Sequence, residues 1–387
     1  MRTQVAIIGA GPAGLALAQL LHVQGIDSVI LESRSRPYVE ARIRAGVLEH
    51  ATVQLLTEAG VGDRLAREGL VHEGIELQFA GERHRIDMTG LTGKSITVYG
   101  QTEVVKDLIE ARLATGRPLL FEVDEVRLED FDSPRPRVLF THDGAAHELE
   151  CDLVAGCDGF HGICRPSIPS GVLRTFTREY PFGWLGILAA VAPSNDELIY
   201  AHHERGFALL SLRSPELGRL YVQCRPDEDI AEWSDARIWE ELQLRLGLPG
   251  WTLVEGPVLE KGITPMRSFV TEPMQYGRLF LAGDAAHIVP PTGAKGLNLA
   301  IHDVRLLAEA IAGWAHGGDE ALLAAYSDAC LRRVWRAEHF SWWMTTMLHR
   351  PEGGDPFDLR LQESQLRYVT SSEAAARSLA ENYVGLG

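Results

Sequence analysis

The chain has 387 residues, 45% of them hydrophobic and 23% charged, with five cysteines and a formal net charge of −16 from 37 basic and 53 acidic residues. That length can bury one large core or two moderate ones; there is no run of about 18 apolar residues to span a membrane, and the acidic balance disfavours a general nucleic-acid or anionic-lipid surface. No CxxC pair or metal-ligand spacing connects Cys151, Cys157, Cys164, Cys224 and Cys330, so they read as reduced thiols, no metal is expected, and the absence of a signal-peptide layout points to the cytoplasm.

Gln4–Ile8 is a buried-strand pattern, followed by Gly9-Ala10-Gly11-Pro12-Ala13-Gly14, an apolar helix to about Val23, a breaking Gly25, and a second strand, Ser28–Leu31, closed by Glu32. This is the dinucleotide fingerprint in its proper context. Gly9 allows the tight turn, Gly11 lets the backbone approach a pyrophosphate, and Gly14 lets helix and strand pack closely. Pro12 suits a first helical turn, and Glu32 stands where a carboxylate accepts from ribose hydroxyls. The pattern does not choose between FAD and NAD. Arg42 and Arg44 follow, either aimed together at phosphates or a solvated basic pair.

Helices are predicted at 49–59 and 103–114, the second opened by Thr102-Glu103, with residues 74–99 alternating as a β-ribbon between them. Strands near 121–127, 136–141 and 147–154 include a meander, and the last runs into Asp158-Gly159, a second acid–glycine pair at a strand end. Residues 172–224 are rich in strands, and on consecutive strands of one sheet Tyr200, Ser211, Arg213 and Tyr221 would share a cavity or a mixed solvent face. Helices follow at 235–246, 297–314, 319–349 and 371–383. Trp335, Phe340, Trp342 and Trp343 read as core or subunit interface.

Residues 278–303 carry the densest signal. Leu279–Ala282 reads as a buried strand, stopped by Gly283-Asp284; Pro290-Pro291 and Gly293 forbid regular structure; a helix starts near Leu297-Asn298. A helix N-terminus favours an anion held against it. With Glu32 and Asp158, Asp284 is a third acid at a strand end, which suggests a large cofactor held along its length.

GAGPAG at the start, RIRAGVLE at 42–49, YGQTEV at 99–104, AGCDGFHG at 155–162, YPFGWLG at 180–186, LIYA at 198–201, the 278–303 run, FSWWMT at 340–345 and ENYVGL at 381–386 together resemble the class A flavoprotein aromatic hydroxylases over nearly the whole chain. The resemblance implies an α/β (α+β) architecture. In it, a Rossmann-like FAD-binding domain (1–71, 101–175 and 267–315) is interleaved with a β-sheet substrate domain (72–100 and 176–266) and completed by a C-terminal helical, dimerising region (316–387). It implies FAD held by Gly9, Gly11, Gly14, Glu32, Arg42, Arg44, Val47, Gln101, Asp158, Asp284, Leu297 and Asn298. It implies substrate held by Ser211, Arg213 and Tyr221, with Tyr200, Pro291, Trp184 and Leu209 around the ring. Catalysis would involve Tyr200 and Tyr383 as a phenol relay, His72 at the end of a proton path, Pro291, and Asn298 at the positive helix end. Ser33, Arg34, Tyr38, Arg44, His161 and Arg267, with Arg219, would serve NADPH, NADH being the alternative. The implied reaction is C3 hydroxylation of 4-hydroxybenzoate to 3,4-dihydroxybenzoate with O₂, by a homodimer that binds no nucleic acid and no membrane. The alternatives are a related acid, such as 4-aminobenzoate or a dihydroxybenzoate, or a non-hydroxylating flavin oxidase or sensor.

Overall fold

The structure, a computed structural model, describes residues 1–42 and 46–386. Val5–Ile8 is buried at every position because its VAII run has no polar alternation, and it sits inside a parallel sheet covered on both faces. The sheet order is Gln275–Tyr276, Leu279–Leu281, Leu153–Gly156, Val5–Ile8, Ser28–Leu31, Leu119–Leu120, with only the first pair antiparallel. The helices Pro12–Val23, Gln101–Ala114 and Gly296–Gly317 pack with it, the first against both of the others.

The largest sheet has eight strands, in the order His287–Ile288, Val258–Glu272, Arg174–Ala189, Leu217–Cys224, Ala208–Ser214, Ile199–Ala201, Gly74–Phe79, Glu82–Asp87. The chain enters each of these two sheets repeatedly, so they cannot be cut apart at one point. The helix Ala321–Leu348 ties them together. Tyr326, Cys330 and Val334 belong to the core around the parallel sheet; Phe340, Met344 and Leu348 belong to the core around the large one. Among its aromatics Phe340 is buried, whereas Trp335 and Trp342 are 40% and 38% exposed. Among the described residues no helix is long and apolar enough to cross a membrane.

Several elements depart from the expected ones. The strand foreseen at 147–154 is two. Ala145–Glu150 pairs antiparallel with Arg137–His142 in a three-stranded meander, and Leu153–Gly156 joins the parallel sheet. The physical difference is burial. The first piece alternates and is mostly exposed, while the second is buried throughout. The ribbon expected over 74–99 ends at Asp87, whose carboxylate accepts from the Gly90 N–H (3.0 Å) and starts a short helix, Met88–Thr92. Ile96–Val98 then pairs with Val47–Leu48 and Leu70–His72 in a separate sheet. The helix expected from Thr102-Glu103 begins at Gln101, with Gly100 before it and no side-chain cap. Helices at Arg36–Ala41 and Pro356–Ser371 were not foreseen. Each opens on a proline next to its first turn, a start signal that periodicity alone passes over.

Candidate active site

The glycine-rich turn is held by its neighbours' backbones. Gly9 has φ +104°, and a Cβ on it would strike the Cys157 carbonyl; a Cβ on Gly14 would strike the Gly9 carbonyl oxygen. Gly11 faces open space, which is where a pyrophosphate would approach the helix N-terminus. Glu32 accepts from the N–H groups of Ala10 (2.7 Å) and Arg34 (2.8 Å), so this acid also locks the loop. Asp158 accepts from the Cys164 N–H at 2.8 Å on one oxygen, while the other is buried without a partner among the described residues. Burial raises the Asp158 pKa against those hydrogen bonds. An orphaned buried acceptor of this kind fits a ligand hydroxyl.

Asp284 stands exposed on the turn Gly283–Ala285. That turn is anchored from beneath: fully buried Asp303 accepts from the Gly283 N–H (3.0 Å) and meets His287 Nε2 at 2.6 Å. Burial opposes the charged form of His287, but the adjacent Asp303 carboxylate prevails and raises its pKa. The helix behind begins at Gly296, and its first backbone bond runs from the Leu299 N–H to the Lys295 carbonyl, leaving the earlier N–H groups aimed out of the helix end. The Asn298 side chain is fully used inside the protein. It donates to the carbonyls of Val47 and Ala294 (both 2.9 Å) and accepts from the Glu49 N–H (2.9 Å) and the Thr52 hydroxyl (2.8 Å). Its amide group is therefore a staple between two helix starts, and only the backbone there is left to face a ligand.

The second half of the site is a small cavity on the large sheet. Cross-strand pairing sets one row: Tyr200 opposite Leu209, Leu209 opposite Tyr221, Tyr221 opposite Gly186. Paired residues share a face. Ser211 pairs with Arg219 one step along, so Tyr200, Leu209, Ser211, Arg213, Arg219 and Tyr221 all line this space. Gly186 makes room for Arg219 and Tyr221, since a Cβ there would press on both side chains. Arg219 Nε donates to the Tyr221 hydroxyl at 3.2 Å, and its Nη1 is buried without a partner among the described residues. Val47, Trp184 and Pro291 close the other walls.

Beyond Tyr200 lies Tyr383, from the last helix, Glu373–Val384. Their hydroxyls share a 2.5 Å hydrogen bond, and both residues are only 1% exposed. Burial pushes both phenols up in pKa, Tyr200 well above the ordinary value, so neither ionises unaided. Lys295, also buried, joins the Pro291 loop to this helix: its ammonium donates to Glu49 (2.6 Å) and to the Tyr383 carbonyl (2.9 Å). His72 is 1% exposed, and neither ring nitrogen has a partner among the described residues. Burial lowers its pKa to about 4, so it is neutral.

Other expected residues lie elsewhere. Gln101 is the first residue of its helix and Leu297 the second of its own. Arg42, Ser33, Arg34 and Tyr38 are exposed around the Arg36–Ala41 helix, with the Arg34 guanidinium 5.4 Å from the Tyr38 ring centre. His161 and Arg267 both pack on Phe160, with ring centres 5.0 Å apart in one case and the guanidinium 4.8 Å from the ring in the other. Arg44 lies outside the described residues. Sequence reasoning passed over Arg219 as a cavity residue, although its place two residues before Tyr221 on an alternating strand puts both on one face. It also passed over the buried Lys295–Glu49 pair and over His349, for which no local signal exists.

A family model described as FAD binding domain matches residues 2–341. The chain is 53% identical over 388 residues to p-hydroxybenzoate hydroxylase of Acinetobacter baylyi, covering 100% of this chain and 96% of that protein. It is 28% identical to 3-(3-hydroxy-phenyl)propionate/3-hydroxycinnamic acid hydroxylase 2 of Burkholderia vietnamiensis, over 84% of this chain and 60% of that one. In fold it is similar to the crystal structure of p-nitrophenol 4-monooxygenase from Pseudomonas putida, with a TM-score of 0.85 at 20% identity over 99% of each chain. The chain belongs to the FAD-dependent aromatic hydroxylases, the family of p-hydroxybenzoate hydroxylase.

Proposed function

We propose that the protein hydroxylates 4-hydroxybenzoate at C3, giving 3,4-dihydroxybenzoate, with reduced pyridine nucleotide and O₂, as a cytoplasmic homodimer. The observation that carries this reading is the polarity gradient of the cavity. The Tyr200–Tyr383 phenol pair stands at one place, and Ser211, Arg213, Arg219 and Tyr221 gather farther along the strands. Ser211 is two residues beyond the Leu209 that pairs with Tyr200, a step of roughly 7 Å, the scale of a para-hydroxylated benzoate. Exposed Trp335, Trp342, Phe357, Leu361 and Tyr368 support a subunit interface.

FAD, held by Gly9, Gly11, Gly14, Glu32, Arg42, Arg44, Val47, Gln101, Asp158, Asp284 and the backbone at Leu297-Asn298, supplies hydride acceptance and the activation of O₂ for transfer to an aromatic carbon. The protein's own groups do the rest. Arg213 and Arg219 bind the substrate carboxylate, with Ser211 and Tyr221 as hydrogen-bond partners. Trp184, Leu209 and Pro291 set the plane of the ring and exclude water. Tyr200 accepts the substrate's phenolic proton while passing its own to Tyr383, which makes the ring electron-rich enough to attack an electrophilic oxygen. Neutral His72 is the proposed far end of that path. The helix start at Leu297-Asn298 favours negative charge on the cofactor's edge. NADPH is the proposed reductant: Arg34 with Tyr38 supports a 2′-phosphate site, and His161 and Arg267 support a second cationic contact.

The test is NADPH and NADH consumption by the purified protein with and without 4-hydroxybenzoate, alongside 4-aminobenzoate and dihydroxybenzoates. Faster reductant use with one 3,4-dihydroxybenzoate formed per NADPH is expected; peroxide alone, or preference for another acid, defeats the reading. The cofactor half has its own check. Gly14→Ala should give a protein that purifies without yellow colour, because the added methyl drives the fingerprint turn into the Gly9 carbonyl; full flavin content in that variant would contradict it.

A further inference from the structure

The ring wall of the cavity is supported from behind by a buried histidine. His349 follows the helix Ala321–Leu348 and is 1% exposed. It lies in an aromatic stack, with its ring centre 4.7 Å from Phe182 at 9°, 5.8 Å from Trp184 at 16°, and 4.4 Å from Phe207 at 28°. Trp184 in turn contacts Tyr221 at 4.8 Å, and both line the substrate cavity. The Trp184 indole N–H donates to His349 Nε2 at 2.6 Å, and His349 Nδ1 lies 3.0 Å from the Thr345 carbonyl.

These contacts select one form of the ring. An indole nitrogen only donates and a carbonyl only accepts. Nε2 must therefore carry a lone pair and Nδ1 the proton; a protonated ring would set N–H against N–H. Burial agrees, lowering the His349 pKa to about 3. The same helical turn reaches the opposite wall, since the Thr345 hydroxyl donates to the Thr292 hydroxyl at 2.9 Å, next to Pro291.

We infer that His349 is a positioning residue for hydroxylation: as a neutral Nδ1–H imidazole it holds the Trp184 indole, and through it Tyr221, in the orientation that places the substrate ring. This rests on the proposed hydroxylation of 4-hydroxybenzoate. A histidine that merely filled space would be replaceable by any side chain of its volume. An acceptor is what the geometry demands, because loss of one partner leaves the buried indole N–H unsatisfied.

The experiment compares His349→Met with His349→Gln in the FAD-loaded enzyme. The two side chains are close in volume, and only glutamine offers an oxygen to Trp184. H349M is expected to raise KM for 4-hydroxybenzoate about tenfold, by loss of one buried hydrogen bond, and to lower product formed per NADPH, with FAD content retained. H349Q is expected to recover most of both. An unchanged KM and product ratio in H349M, or H349Q no better than H349M, overturns the inference. If H349M does not fold, the parent enzyme decides: the ¹⁵N-labelled indole signal of Trp184, assigned by its loss in Trp184→Phe, is expected far downfield and slow to exchange, and an ordinary position overturns the proposal. A parent enzyme that makes no 3,4-dihydroxybenzoate defeats the proposed function itself, whereas an active parent with an indifferent H349M defeats only this inference.

Discussion

Replacing Arg213 by alanine is expected to weaken 4-hydroxybenzoate binding at least about 30-fold, or about 2 kcal/mol, the worth of a charge-assisted hydrogen bond in a partly buried site. The arm of Arg213 runs past Gly46 and Gly100, where an added Cβ would meet its Nη1, so the backbone has been cleared for this side chain. Burial disfavours its charge, partly offset by Tyr221, and lowers its pKa; a guanidinium nonetheless stays protonated. It therefore keeps a charge in a poorly solvated place, and an incoming carboxylate gains accordingly. Arg213→Lys should restore only part of the affinity, because a point charge does not reproduce the planar fork. Titration of the flavin absorbance with substrate measures both variants. Equal Kd values for parent and R213A would remove the carboxylate clamp from the proposal.

Tyr200→Phe is expected to spare NADPH-driven flavin reduction while slowing hydroxylation by roughly a hundredfold, the range attributed to a positioned proton-transfer group. The variant keeps ring size and packing and deletes only the oxygen that lies 2.5 Å from Tyr383. Without it the substrate phenol has no buried base, the ring stays electron-poor, and reductant should be spent on peroxide. Tyr383→Phe should show a weaker form of the same defect, since Tyr200 remains in contact with substrate but loses its onward acceptor. Single-turnover product analysis after anaerobic reduction and O₂ mixing separates the steps. Undiminished product yield in Y200F would end the relay argument.

Much of the cofactor half was legible because its signals are local. The spacing of Gly9, Gly11 and Gly14 between a VAII strand and an apolar helix has one physical meaning, a turn whose backbone must pass close to Cys157 and Gly9. The strand Leu279–Leu281, the stop at Gly283-Asp284 and the helix start at Gly296 likewise survive, whereas Pro291–Gly293, expected to be irregular, forms one turn of 3₁₀ helix because a proline fits a first helical turn. Strand alternation placed Tyr200, Ser211, Arg213 and Tyr221 as candidates for one face, although alternation alone could not say whether that face was a cavity or solvent.

What only the tertiary structure decided are the relations between distant segments. Tyr383 meets Tyr200 across 183 residues, Asn298 spends its side chain on Val47, Glu49 and Thr52, and Trp184 finds His349. The strand expected over 147–154 split between two sheets because burial on both faces, not local propensity, determines where a strand belongs. Local sequence sets turns, caps and alternation, since these depend on neighbours a few residues away. Pairing of buried polar groups depends on which faces the packed sheets and the Ala321–Leu348 helix bring together, and that is settled only when the two cores close on each other. The 278–303 run shows both sides of this division: its strand, acid and helix start could be read from order alone, while its meeting with the substrate wall required the fold.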